Sequence, residues 1–321
     1  MAEPLLVADI GGTNARFACA EERDGRIVVR DVQRFRAEDF ETVADAADAY
    51  LESIADAPRR ACFAAAGFVQ DGNVSFTNSH WTLRAQEARR LLRLDAFLVV
   101  NDFYAMAAGV SHLTDDAFIE VKAGAGDARA PRLVIGPGTG LGQALIVPSA
   151  AGEIIVSTEG GHVSFAPCTD EEYAVLKFIA REHPRVSVER LLSGRGLVNI
   201  HRALCSVEGV LRASLRADEI TAAAAARDDR LPIAGRAVDM FCAVLGSVAA
   251  DAVLSTGARG GVVLGGGILP KIRDLFLASR FVERFHDKGR MTGYVEATPV
   301  RLIVRDDAAL YGAAAALRGH E

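Results

Sequence analysis

Two stretches of this chain follow one pattern, in which an apolar strand runs into a glycine-rich corner and leaves as a second strand. Residues 5–10 enter Gly11-Gly12 and continue as strand over 16–20 and 26–35. Residues 132–135 enter Gly136-Pro137-Gly138-Thr139-Gly140-Leu141-Gly142 and leave over 143–148 and 154–157. β-branched and aromatic runs broken by glycine predict antiparallel hairpins. A corner of this kind heading each half of a chain constrains the fold to a duplicated α/β unit with a ligand cleft between the halves.

The remaining pattern agrees with that frame. A helical period covers residues 39–55, short apolar runs cover 61–66 and 74–77, a helix follows Trp81, and a buried strand covers 97–100. The second half is mainly helical from 169 to 258. Thr169-Asp170-Glu171-Glu172 fits a capping box before a helix over 173–180, which Pro184 stops. Strands return at 262–264 and 300–304, and a helix over 310–317 closes the chain. The length of 321 residues suits about two domains.

Charge and cysteine content exclude several classes of function. The 36 basic and 42 acidic residues give a net charge of −6, which disfavours nucleic acid or an anionic membrane as partner. The least charged stretch, residues 240–250 between Asp239 and Asp251, is too short to cross a bilayer and reads as a buried helix. The N-terminus lacks the pattern of a secretory leader, so a cytoplasmic location is expected. Five scattered cysteines, Cys19, Cys62, Cys168, Cys205 and Cys242, suit reduced, mostly buried thiols rather than a disulfide framework or a zinc site.

The corners themselves carry chemistry. In Ala8-Asp9-Ile10-Gly11-Gly12-Thr13-Asn14-Ala15-Arg16, the glycines let backbone N–H groups approach an anion. Thr13, Asn14 and Arg16 add polar and cationic groups, and Asp9 is a candidate ligand of Mg²⁺, directly or through water. The second corner fails the dinucleotide frame because Leu141 and Gln143 stand where glycines are required, and no Gly-Lys-Ser/Thr loop occurs. What remains is a strand-turn-strand nest with Gly138, Thr139 and Gly140 facing an anion. A third cluster, Gly260 to Gly267, follows a strand and precedes a helix opened by Pro270, and Gly265, Gly266 and Gly267 leave room for a flat base.

A second set of residues suits a polyol. Asn101-Asp102 ends a buried strand, the edge at which open α/β sheets bind ligands; Asp102 can take a hydroxyl proton, while the bland reading makes both residues a helix cap. Glu159 and His162, in Glu159-Gly160-Gly161-His162, can hydrogen-bond a vicinal diol. Glu189 by spacing alone reads as an exposed helix residue paired with an arginine. No cysteine or histidine cluster with metal spacing occurs.

Taken together, Asp9 to Arg16, Thr77-Asn78-Ser79-His80-Trp81, Val100 to Phe103, Gly138 to Gly142, Glu159 to His162, Glu189 to Gly194 and Gly261 to Gly267 resemble the bacterial glucokinase family of the hexokinase, Hsp70 and actin ATPase superfamily. The resemblance covers nearly the whole chain. It implies a duplicated actin-like ATPase (ribonuclease H-like) fold, with a smaller domain of residues 1–112 plus 305–321 and a larger one of 113–304 with helical insertions. It implies ATP-dependent phosphorylation of glucose at the 6-hydroxyl, with Asp102 as base and Asn78, Asn101, Asp102, Glu159, His162 and Glu189 as sugar ligands. Both corners would flank the ATP phosphates with Mg²⁺, Gly265 to Gly267 would lie near adenosine, and closure of the cleft would exclude water. A homodimer is the expected assembly. Pro137 departs from the family pattern by removing one N–H donor. The absence of a cysteine-rich motif after His162 points to the zinc-free branch. The rival readings are a kinase for another hexose or amino sugar, a non-catalytic sugar-responsive regulator, for which an N-terminal helix-turn-helix is expected, and a chaperone-like ATPase.

Overall fold

A computed structural model of the chain describes residues 3–76, 80–210 and 214–319. It divides into two compact units, one of Met1–Ala117, Ile155–Ser157 and Arg305–Glu321, the other of Phe118–Ile154 and Thr158–Val304.

The first unit opens with the expected meander: β1 (Leu5–Ile10), β2 (Asn14–Arg23) and β3 (Arg26–Arg36). Helix α1 (Val43–Glu52) is shorter than the helical period suggested. Thr42 and Asp45 form a reciprocal capping box that fixes its start, so the preceding residues form a 3₁₀ turn instead. Then come β4 (Arg60–Ala65), a small antiparallel sheet of β5 (Val69–Gln70), β6 (Asn73–Ser75) and β7 (Thr82–Arg84), helix α2 (Ala85–Leu91), β8 (Ala96–Asn101) and α3 (Asp102–Val110). The main sheet has the order β3-β2-β1-β4-β8, with β1, β4 and β8 parallel.

Strand β1 reads as an unbroken apolar run because both faces of the sheet are covered. Leu6, Ala8 and Ile10 pack with Phe17, Tyr50 and Phe63 on one face, while Leu5 and Val7 pack with Val100, Ala105 and Leu310 on the other.

The second unit repeats this plan. Its strands are β9 (Phe118–Lys122), β10 (Arg132–Pro137), β11 (Leu141–Ser149) and β12 (Gly152–Thr158), followed by helices α4 (Asp170–Ile179), α5 (Gly194–Val207), α6 (Ala217–Ala226) and α7 (Pro232–Thr256). Strand β13 (Gly261–Leu264), helices α8 (Arg273–Leu277), α9 (Phe281–His286) and α10 (Thr292–Glu296), and β14 (Val300–Ile303) complete it. The sheet order is β12-β11-β10-β13-β14-β9. Its first five strands match the first sheet one for one, so the duplication read from the two corners is present in the topology. Strand β9, not foreseen in the sequence, is an added antiparallel edge. Helix α11 (Ala308–Arg318) returns to the first unit and packs on α3.

Helix α7 extends well beyond residues 240–250. Pro232 at its first turn and Gly257 in the left-handed conformation bound it. It is long and apolar enough to span a bilayer by composition, yet 78% of its most apolar window is buried within this unit. The expected capping box of α4 is only half formed. Thr169 accepts from Glu172 N–H, but the Glu172 carboxylate turns to the N–H of Cys168 and to Arg284 at 2.5 Å, both side chains being buried. The helix expected to open at Pro270 begins as a 3₁₀ turn, Leu269–Ile272, before α8. All five thiols are free, and only Cys168 is exposed.

Candidate active site

In the first unit, parallel pairing sets Ile10, Ala65 and Asn101 in one row across β1, β4 and β8. The corner after β1 and the Asn101-Asp102 step after β8 therefore share the carboxyl edge of one sheet, about 10 Å apart by strand spacing. Asn101 is the N-cap of α3. Its Oδ1 accepts from Phe103 N–H at 2.9 Å and Tyr104 N–H at 3.2 Å, and its Nδ2 donates to Gly67 O at 3.1 Å. The capping chemistry thus belongs to Asn101, and it sets Asp102 as the first residue of the helix, partly exposed. Asn78 lies outside the described residues.

At the corner, Gly11 N–H donates to Asn14 O at 2.9 Å and closes the turn, while Thr13 and Asn14 are exposed. Ala8 and Ile10 have fully buried side chains, so only their backbones could serve a ligand. Asp9 faces Arg16 across the β1–β2 ladder, with Nη2 to Oδ2 at 3.1 Å. Arg16 also pairs with Asp306, which takes Arg34 as well. Burial pushes the Asp9 carboxyl above its ordinary value; Arg16 opposes the shift and Asp306 adds to it. Asp306 carried no signal in the sequence, because it stands 290 positions from Arg16.

Asp9 is the one candidate that the sequence offered for Mg²⁺. Among the described residues, no group of three or more His, Cys, Asp or Glu side chains could hold a metal. A single carboxylate at the corner fits an ion that takes its remaining oxygens from water and substrate phosphates, which is the usual habit of Mg²⁺.

In the second unit, Gly138 N–H donates to Gly140 O at 2.7 Å, the same turn-closing use of the first glycine seen at Gly11. The N–H groups of Thr139 and Gly140 have no backbone partner among the described residues, and Thr139 is exposed. The corner is held to the chain beyond it by Gly194 N–H donating to Gly138 O at 3.0 Å. Glu189, in a 3₁₀ turn, is partly buried and accepts from Leu141 N–H at 2.9 Å. It is therefore bound to the corner rather than exposed beside an arginine, as its spacing suggested.

Gly160 and Gly161 explain how Glu159 and His162 reach the same region. A methyl group on Gly160 would collide with the buried Gln143 side chain, and one on Gly161 with Leu141 O. The two glycines let this 3₁₀ turn lie directly on β11, leaving Glu159 and His162 exposed with Oε2 and Nε2 3.7 Å apart. Gln143, missed in the sequence, is the buried polar support under this turn; its only signal was a glutamine placed just after a glycine corner.

The third glycine cluster belongs to the same construction. Gly265 packs against Gly136, and Gly266 adopts φ +81° against Pro137 O, where a side chain would clash. Pro137 O accepts from Ile268 N–H at 3.3 Å, so Pro137 joins the two loops. Gly267 alone borders open space. One unit thus gathers Gly138 to Gly140, Glu159, His162, Glu189 and Gly265 to Gly267, and the other gathers Asp9 to Arg16 with Asn101 and Asp102.

Comparison with known proteins gives concordant results. A family model described as Glucokinase matches residues 6–320. A glucokinase from Marinobacter nauticus is 43% identical over 98% of each chain, and one from Hahella chejuensis is 41% identical over 100% of this chain and 98% of its own. The crystal structure of a glucokinase from an Antarctic psychrotroph superposes with a TM-score of 0.88 at 38% identity, covering 99% of this chain and 100% of that one.

Proposed function

The chain belongs to the glucokinase family, and from that premise we propose how its residues transfer a phosphoryl group from ATP to glucose. The protein is a glucokinase, phosphorylating glucose with ATP. Asp102 is the base. A carboxylate with a pKa of about 4 is weak in water, but a loose phosphoryl-transfer transition state asks chiefly that the acceptor hydroxyl be aimed and its proton taken late. Asn101 fixes the start of α3 and so the direction of Asp102; its remaining Nδ2 hydrogen is available to a sugar hydroxyl. Glu159 and Glu189 accept from sugar hydroxyls, His162 donates or accepts, and Asn78 completes the set. The acceptor is the 6-hydroxyl.

The N–H groups of Thr139 and Gly140, with the Gly11–Asn14 turn, receive phosphate oxygens, and Gly265 to Gly267 border adenosine. Mg²⁺, when bound near Asp9, supplies neutralisation of the charge on the phosphates. Arg16 acts chiefly on Asp9, which it holds by an ion pair. This reading takes residues 1–112 with 305–321 and residues 113–304 as the domains, and a cytoplasmic homodimer entering glucose into glycolysis as the working form.

The observation that carries the reading is the Ile10–Ala65–Asn101 row, which sets a phosphate corner and an aspartate on one sheet edge. A coupled assay with glucose, mannose, fructose and N-acetylglucosamine, each with and without ATP, tests it. Turnover should require both ATP and sugar and should favour glucose; hydrolysis of ATP without sugar, or preference for another sugar, would overturn it.

A further inference from the structure

On the opposite edge of the first sheet, Arg59, Gln86, Arg89, Arg90, Arg93, Leu94 and Asp95 line a cavity of about 530 Å³. Arg59 immediately precedes β4, and Asp95 immediately precedes β8. The strand length separates this place from Asp102 by about 20 Å.

Four guanidinium groups here face one carboxylate, in a protein of net charge −6. Two of them are fixed. Arg59 is bidentate on Asp95 at 2.8 and 2.9 Å, and Arg89 donates to Leu94 O at 3.3 Å and Asp95 O at 2.6 Å. Arg90 and Arg93 have no side-chain partner among the described residues, so three positive charges are left uncompensated around the cavity. The end of α2 favours a cation through its carbonyls, which accounts for one such charge and not for the rest. Arg93 is moreover in the left-handed region at φ +52°, which an arginine adopts at a cost that glycine or asparagine would avoid. Convergent guanidinium groups repel one another unless an anion lies among them, and their planar forks match tetrahedral oxyanions.

We propose that this cavity is a binding site for a phosphate dianion, supplied as inorganic phosphate or as a compact phosphomonoester, distinct from the site of phosphoryl transfer. The two fixed arginines form its floor, and Arg90 and Arg93 close on the ligand.

The test uses the full chain without nucleotide or glucose, titrated with inorganic phosphate, with glucose 6-phosphate and with chloride at matched ionic strength, followed by thermal shift and calorimetry. Phosphate should raise Tm by a few degrees where chloride does not. Arg90→Gln/Arg93→Gln should abolish that shift while kcat and both KM values stay within about twofold. An equal response to both ligands identifies the phosphate group alone as the determinant; a response to the ester only identifies a phosphomonoester. A shift that survives in the double variant places the anion elsewhere and overturns the proposal, as does the absence of any shift. Loss of turnover together with the shift overturns the separation of the two sites. None of these readouts in the resting protein depends on which sugar the enzyme phosphorylates.

Discussion

The backbone N–H of Leu141 donates to Oε2 of Glu189 over 2.9 Å, joining the end of the second glycine corner to a 3₁₀ turn 48 positions later. One carboxylate oxygen thus steadies the corner, which leaves the other for a substrate hydroxyl. Glu189→Ala should remove both functions. A hydrogen bond to a charged group contributes about 1.5–3 kcal/mol, so Tm should fall by several degrees and KM for glucose should rise about tenfold or more. Glu189→Gln keeps an acceptor and should recover most of the Tm loss but not the KM. Gly140→Ala, which pushes a methyl group into the same carboxylate, should resemble the alanine variant.

Asp102 stands at the head of α3, with the cap contributed by Asn101. Asp102→Ala should therefore fold normally and keep glucose affinity, while kcat falls by about 10²–10⁴-fold. Steady-state kinetics together with glucose titration by calorimetry checks this. Near-normal kcat would remove Asp102 from the role of base.

The seat of α3 depends on contact with α11. Gly312 lies against Ala105 O, and Gly109 against Ala308 O, so closely that a methyl group on either would strike backbone. Gly312→Ala should cost about 1–3 kcal/mol or more by overpacking and should lower kcat, since α3 carries Asp102. A variant with lowered Tm and unchanged kcat would show that the helix shifts without moving its first residue.

His286 has a buried Nε2 without a partner among the described residues. Burial holds its pKa below the ordinary 6.5, with Lys122 adding to the effect and Glu296 opposing it. The unfolded chain therefore takes up a proton near pH 6.5 that the folded chain refuses. Stability from this group is present above pH 6.5 and is lost as pH falls toward the folded pKa, below which the loss levels off. His286→Gln should flatten that part of the Tm profile, as measured by thermal melts between about pH 5 and 8. An unchanged profile would place the titration elsewhere.

The amino-acid order by itself determined the repeated strand-corner-strand plan, the alternation of strands and helices, and the glycine positions, because these follow from backbone sterics and from apolar periods of two and 3.6 residues. It also brought Asp9, Asn101, Asp102, Glu159 and His162 forward, since each lies next to a strand end or a glycine turn. Near neighbours sufficed for Thr42 and Asp45 at the start of α1. They did not suffice for Glu172, whose carboxylate leaves its own helix start for Arg284.

Tertiary structure alone decided which polar groups meet. Asp306 reaches Arg16 across 290 positions, Glu189 reaches Leu141, and Gln143 lies beneath Gly160. Such pairings depend on sheet register and on how closely two loops can pack, and neither is encoded in local spacing. For the same reason, a helix-surface glutamate by pattern became a support of the corner, and four scattered arginines became the lining of one cavity.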